Sequence, residues 1–104
     1  MLRHAVERIL SQLVELAVSV NGHVAATQLG RAPSDYRSSF DLVAEATVIP
    51  KDLAQQLRLS VGLRNVLTHE YAKVDLRLVA TGVETARDQY AAYVRHVADW
   101  LIDR

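Results

Sequence analysis

The sequence predicts an all-α protein, and three observations point the same way. Apolar residues recur at steps of three and four along nearly the whole chain, a spacing that places them on one face of a helix. No segment alternates polar and apolar residues for long enough to predict a strand. Half of the 104 residues are hydrophobic, with four glycines and two prolines, which excludes a disordered or fibrous chain. We therefore expect one helical domain over residues 1–104, folded as an antiparallel bundle.

The first predicted helix covers residues 2–27. Gly22 weakens its last turns by up to about 1 kcal/mol relative to alanine. A loop over residues 30–35 follows, in which Ser34 or Asp35 can cap the next helix. The stripe that we expect this first helix to bury comprises Leu2, Val6, Ile9, Leu10, Leu13, Leu16, Ala17, Val20 and Val24.

Two helices are predicted in the middle of the chain. The first runs from Tyr36 to Ala46 and ends there, because β-branched residues precede Pro50. The second begins at Pro50, which suits the first turn of a helix, and runs to about Thr68. Their predicted buried positions are Tyr36, Phe40, Leu42 or Val43, Ala44, Leu53, Leu57, Val61, and Leu67 or Thr68.

The last predicted helix covers residues 76–103 and is capped by Asp75. Its apolar residues form two heptad series, a pattern typical of a long helix in a bundle or coiled coil. A helix of that length spans about 42 Å at 1.5 Å per residue, so we expect part of it to pack on a second subunit. The two series are Leu76, Val83, Tyr90, Val97 and Val79, Ala86, Tyr93, Trp100.

Composition excludes several classes of function. The chain has no cysteine, which excludes disulfide frameworks, zinc ribbons and thiol catalysis. No apolar run reaches the roughly 20 residues of a membrane span, and no signal-peptide core is present, so we expect a cytoplasmic protein without membrane contact. Twelve basic residues balance twelve acidic ones, so any contact with nucleic acid must be local.

The residues that can carry chemistry are concentrated at Gly62–Tyr71, where the third helix should end. Arg64 offers a planar fork of donors that suits phosphate oxygens. His69 can give or take a proton near neutral pH, Asn65 can orient the imidazole or a substrate, and Tyr71 adds a hydroxyl. RNA cleavage needs such groups and no metal: a base for the 2′-hydroxyl, an acid for the leaving oxygen and a cation for the phosphorane.

The spacing of Arg64 and His69 raises a geometric question. Five residues on an ideal helix correspond to about 140° around its axis, so the two side chains do not share a face. Either the helix breaks before His69, or a second chain completes the site. A two-fold dimer would place two arginines and two histidines around one cleft.

The pattern of an arginine, four residues, a histidine, one residue and a tyrosine resembles the signature of HepT-like proteins, a branch of the all-α HEPN ribonuclease superfamily. The flanking sequence is also similar, at Ala5–Arg8, at Pro33–Tyr36 with Phe40, and at Val74–Asp75. The resemblance covers almost the whole chain. HepT-like proteins usually have a further long helix before the segment that begins here at Leu2, so we expect four helices without that leading one.

The resemblance implies the toxin of a type VII-like toxin–antitoxin pair, which acts as a homodimeric, metal-independent endoribonuclease. Arg64 and His69 would be catalytic in a shared cleft, with Asn65 in support. The implied antitoxin is a minimal nucleotidyltransferase that moves AMP from ATP to Tyr71, and the toxin itself needs no cofactor. Anionic AMP groups two residues from His69 would block the cleft and repel RNA.

Other interpretations remain open at this point. The chain can instead be a non-catalytic substrate-binding or adaptor subunit of a nucleotidyltransferase, and a helical dimer without chemistry would make the motif a coincidence. Arg58, Lys73 and Arg77 flank the motif and can form a phosphate-binding rim, although scattered surface charge also explains them. The histidines lack the spacing of metal ligands, so we expect no metal site.

Overall fold

The part of the chain that the structure describes is an antiparallel bundle of four α-helices. The structure, a computed structural model, describes residues 2–69 and 75–103, with the backbone alone at residues 2, 3, 68, 69 and 76. No strand occurs in these two ranges, so the all-α prediction is confirmed. The helices are α1 (Leu2–Val24), α2 (Tyr36–Glu45), α3 (Lys51–His69) and α4 (Leu76–Ile102), and a π-helical turn, Ala25–Leu29, extends α1. The predicted bounds lie within one residue of these, except that α1 ends at Val24 rather than at residue 27.

The start of α2 is fixed by a capping box. The carboxylate of Asp35 accepts a hydrogen bond from the Ser38 amide at 2.7 Å, and the Ser38 hydroxyl accepts one from the Asp35 amide at 3.1 Å. These bonds satisfy amide groups that have no partner within a helix. The bond from the Ser38 amide also lowers the pKa of Asp35, since it favours the charged form of the carboxylate. The cap places Tyr36 at the first position of α2, facing the other helices.

The turn from α2 to α3 is unusually tight. Thr47 lies in the left-handed region at φ +64°, which a β-branched residue rarely adopts. Its amide donates to the carbonyl of Ala44, and the amide of Val48 donates to that of Val43, both at 2.9 Å. This pair of bonds is a Schellman motif, which satisfies the last carbonyls of α2. The chain therefore reverses within a few residues, and α2 packs along α3.

The core lies between all four helices and contains a polar network centred on Asn21. Phe40, Leu57 and Leu67 are its largest fully buried side chains. Asn21 is also fully buried: its amide donates to the Ser39 hydroxyl at 3.1 Å, and its carbonyl oxygen accepts from the Tyr93 hydroxyl at 2.6 Å. Every buried side-chain polar atom in the described residues has a hydrogen-bond partner. The network therefore ties α1, α2 and α4 together without leaving a polar group unsatisfied.

The predicted stripe of α1 is partly wrong. Leu10 is buried as expected, but Ile9 and Leu16 are 59% and 67% exposed, whereas Val14 is fully buried. The core face of α1 is centred on Val14, and the exposed residues lie to one side of it, toward α4. An apolar groove of about 400 Å³ separates the two helices there. Periodicity marked both faces of α1 as apolar and could not tell the buried one from the open one.

The middle of α4 is buried as its heptad pattern predicts. Ala86, Tyr90 and Tyr93 are buried, and Trp100 is partly buried against the core. Tyr93 packs edge-on against Phe40, with the ring centroids 6.2 Å apart. Burial places both tyrosines in the core. The molecule is 43 Å long, and a helix of 27 residues accounts for about 40 Å of it.

One segment, His4–Leu29, has the length and composition of a membrane span, contrary to the sequence expectation. Length and composition alone are weak evidence for a membrane span, because a helix buried in the core of a protein can have both. Here the segment contributes Leu10, Val14 and the fully buried Asn21 to the core between the helices.

Candidate active site

Arg64 lies on α3 beside a polar groove between α3 and the start of α2. Its side chain is 23% exposed, so most of the arginine is covered by its neighbours. The groove has a volume of about 300 Å³. It is lined by Asp35, Tyr36, Arg37, Val61, Arg64 and Asn65.

Three residues hold the Arg64 guanidinium. Nη1 donates to Oε1 of Glu15 on α1 at 3.0 Å, and Nη2 donates to Oδ1 of Asn65 at 3.4 Å. The guanidinium carbon lies 5.1 Å from the centre of the Tyr36 ring, which is cation–π distance. Arg64 is thus fixed from α1, α2 and α3 at once. An arginine has five N–H donors, and these two bonds to described residues leave others for a ligand.

Tyr36 and Glu15 also bind each other. The Tyr36 hydroxyl donates to the two carboxylate oxygens of Glu15 at 2.7 and 2.9 Å. This bond to Glu15 raises the pKa of Tyr36, partial burial raises it further, and the nearby Arg64 lowers it. The phenol therefore stays protonated at neutral pH and acts as a hydrogen-bond donor. Glu15, Tyr36 and Arg64, which we call the Arg64 clamp, form one connected unit.

His69 is the last residue of α3, so the helix does not break before it. The first of the two alternatives for bringing Arg64 and His69 together is therefore wrong. On a continuous helix the two residues are about 7.5 Å apart along the axis and about 140° apart around it. The His69 side chain lies outside the described residues, as do Tyr71 and Lys73.

Two residues of the predicted phosphate-binding rim, Arg58 and Arg77, have described side chains and lie in different surroundings. Arg58 is half-buried and forms an ion pair with Asp41 of α2, and it does not line the groove. Arg77 is exposed in the first turn of α4, where its amide donates to the capping Asp75 at 2.9 Å. Arg37, which the sequence did not single out, lines the groove instead. A β-carbon added to Gly62 of α3 would lie 3.6 Å from Nη2 of Arg37, so the Arg37 side chain reaches α3 at this glycine.

Sequence reasoning missed Glu15 and Arg37 as site residues, and it predicted Tyr36 only as a buried position. Glu15 is 49 positions from Arg64 in the chain, and a single glutamate on a helix carries no signal of its partner. Arg37 follows the cap of α2 and could have been found only from the packing of α2 on α3. In the described ranges, no group of three or more histidine, aspartate and glutamate side chains could hold a metal ion.

Together, the fold and the groove define an all-α protein with an arginine-centred polar site between its helices. A model of the ribonuclease HepT-like family matches residues 1–97. The chain belongs to this family, as the motif around Arg64 and His69 suggested.

Comparisons with individual proteins agree with the family. The chain is 31% identical over 97 residues to the tRNA nuclease HepT of Aphanizomenon flos-aquae, covering 92% of this chain and 65% of that protein. The chain thus spans just under two thirds of the length of the curated relatives it matches.

Two solved structures have the same fold. One is a toxin–antitoxin complex with AMP-PNP, with a TM-score of 0.84 and 25% identity over 92% of this chain and 73% of that one. The other is the tri-AMPylated HEPN toxin of Shewanella oneidensis in complex with its MNT antitoxin. It has a TM-score of 0.78 and 26% identity over 86% of this chain and 68% of that one.

Proposed function

We propose that the protein is an endoribonuclease toxin whose active site is centred on Arg64. The observation that carries the proposal is the Arg64 clamp, which holds a cation in place on the edge of an open groove. A cation that is already held in place stabilises the charged phosphorane of RNA cleavage well, because the cation need not reorganise during the reaction. Relatives named as tRNA and mRNA nucleases support the same activity.

The proposed reaction is a transesterification within the RNA. The 2′-oxygen attacks the adjacent phosphorus, the bond to the 5′-oxygen breaks, and the products carry a 2′,3′-cyclic phosphate and a 5′-hydroxyl. Arg64 stabilises the phosphorane, and Asn65 keeps the guanidinium oriented. His69 removes the proton of the 2′-hydroxyl or returns one to the leaving 5′-oxygen.

A homodimer supplies the second half of this site. Arg64 and His69 diverge on one continuous helix, so a two-fold axis beside the end of α3 is the remaining way to surround one phosphate with both. Two histidines in a shared cleft would also provide an acid and a base at the same time.

The proposed partner is a minimal nucleotidyltransferase antitoxin. This is supported by the two solved structures with the same fold, which are both toxin–antitoxin complexes and of which one names an MNT antitoxin. The Tyr71 hydroxyl attacks the α-phosphorus of ATP bound to that partner, a tyrosyl phosphodiester forms, and pyrophosphate leaves. The proton of the hydroxyl passes to a base of the transferase or to water. Each AMP places negative charge next to His69 and excludes RNA. We place both proteins in the cytoplasm, where their RNA and ATP are found.

The test is to express the protein with and without a minimal nucleotidyltransferase antitoxin, and to compare intact mass and cleavage of total RNA. We expect added AMP on Tyr71 in the first sample and cleavage in the second alone. His69→Ala and Arg64→Ala should abolish cleavage. Arg31→Ala, which removes a surface guanidinium paired with Glu45, should not.

Two results would count against the proposal. Full cleavage by His69→Ala would exclude the assigned chemistry. Addition of AMP with no cleavage in either sample would instead favour a non-catalytic adaptor of the transferase.

A further inference from the structure

The Arg64 clamp contains a carboxylate where a phosphate-binding site would be expected to hold positive charge. Glu15 partly neutralises Arg64 and so weakens the attraction of the groove for RNA. A carboxylate in that position needs another explanation than substrate binding. The geometry supplies one, because Glu15 is bound from two sides: by Tyr36 at 2.7 Å and by Arg64 at 3.0 Å.

We propose that Glu15 is a positioning residue that fixes the Arg64 guanidinium for the transition state, a role that rests on the proposed ribonuclease function. The Tyr36 hydroxyl holds the carboxylate, and the carboxylate holds one edge of the guanidinium. The Tyr36 ring supports its face, and Asn65 contacts the other terminal nitrogen. The remaining donors belong to a guanidinium that lines the groove and is already held in place before RNA arrives.

This arrangement weakens the binding of RNA and increases the rate of cleavage. A free arginine side chain loses about 1.5–2 kcal/mol of rotamer entropy when it becomes ordered. Because the Arg64 clamp already orders the side chain in the folded protein, this entropy is not lost when the transition state forms. Interactions that are stronger in the transition state than in the ground state raise kcat, whereas a weaker ground-state attraction raises KM. Glu15 should therefore raise both constants.

The test compares Glu15→Gln with wild type under single-turnover and steady-state conditions. Glutamine keeps the size of the side chain but removes its charge, and Glu15 is 53% exposed, so the fold should survive. We expect kcat to fall about tenfold, in the range caused by misplacing a catalytic group by a fraction of an ångström. We expect KM to fall, together with the dissociation constant of a 2′-O-methyl copy of the RNA.

Glu45→Gln is the matched control. It removes the same charge from another surface carboxylate that pairs with an arginine, Arg31 at 2.8 Å, on the exposed side of α2. It should leave kcat unchanged, so a general effect of net charge would appear in both variants. Tyr36→Phe keeps the ring under Arg64 and removes the hydroxyl that holds Glu15, and it should show a smaller fall in kcat than Glu15→Gln.

A second readout reports on the contact itself. Glu15→Gln should lower the pKa of Tyr36 toward its ordinary value, measured by NMR on tyrosine labelled with carbon-13 at Cζ, because the bond to Glu15 is the largest cause of its rise.

Two results would overturn the inference, and they are distinguishable. An unchanged kcat in Glu15→Gln, with cleavage by the wild type intact, overturns the role of Glu15 and leaves the ribonuclease proposal standing. Absence of cleavage by the wild type and all variants overturns the ribonuclease proposal, and the positioning role falls with it.

Discussion

The hydroxyl of Tyr93 should contribute more to stability than the hydroxyl of Tyr90, although both tyrosines are buried on α4. Tyr93 donates to Asn21 Oδ1 at 2.6 Å, with the carbonyl of Ala17 at 3.3 Å as a second acceptor. Tyr93→Phe removes one oxygen atom and leaves that carbonyl oxygen of Asn21 without its donor, in a side chain with 0% exposure. Burial of an unsatisfied polar group costs about 1–3 kcal/mol, so we expect a loss of about 2 kcal/mol.

Tyr90→Phe makes the same chemical change with a different consequence. The Tyr90 hydroxyl lies 2.8 Å from the Ser60 hydroxyl, which also donates to the carbonyl of Leu57. Ser60 therefore keeps a partner when Tyr90 loses its oxygen. We expect a loss of about 0.5–1 kcal/mol, the net value of one ordinary hydrogen bond.

Urea unfolding followed by circular dichroism at pH 7 measures both losses. Protein concentration must be the same in all samples, since an associating chain gains stability by mass action. A loss of about 2 kcal/mol corresponds to roughly 8–16 °C in the melting temperature for a domain of this size. If Tyr90→Phe cost as much as Tyr93→Phe, the reasoning from unsatisfied partners would be refuted.

Three further predictions concern the helix ends and one helix interior. Thr47→Gly should raise the free energy of unfolding by about 1 kcal/mol, because glycine adopts a positive φ without strain, whereas Thr47→Ala keeps a β-carbon and should gain little in the same urea assay. Gly22→Ala should gain about 0.5–1 kcal/mol, since no atom beyond the adjacent part of its own helix lies within 4 Å of the new methyl group; Gly30→Ala, at φ +64°, should lose stability, and equal effects of the two changes would contradict this account. The lowered pKa of Asp35 adds stability that is complete above its unfolded pKa of about 3.9 and is lost as the pH falls through its folded pKa. The free energy of unfolding of Asp35→Asn should therefore be lower than that of the wild type at pH 6, and the difference should become smaller as the pH falls to 2. A difference that stays constant would show that the bond to Ser38 does not favour the charged carboxylate.

The helix bounds could be predicted because their signals are local. Asp35 and Asp75 cap the helices that follow them, and the carboxylate of each accepts an amide hydrogen bond in the first turn. Capping chemistry depends on residues within one turn of each other, so the sequence is sufficient. The left-handed Thr47 was missed for the opposite reason, since nothing in a β-branched residue indicates a conformation that it usually avoids.

The candidate site could be predicted only in part. Arg64 and Asn65 stand out because they lie next to each other in a motif, and the structure brings them into contact. Glu15 and Tyr36 come from other helices and meet Arg64 only through packing. Hydrophobic periodicity also failed on Leu16, because a helix with apolar residues on two faces does not reveal which face its neighbours cover.

The separation of Glu15 and Arg64 by 49 positions has a consequence for the synthesis of the protein. A ribosome makes α1 and α2 before it reaches the arginine, and α3 must then dock on both for the guanidinium to be held. An unfinished chain, or one that has folded only its first two helices, cannot have the arrangement described above. Under the proposed function, activity should thus appear only after α3 has docked on α1 and α2, and the proposed antitoxin, if made at the same time, would have that interval in which to bind.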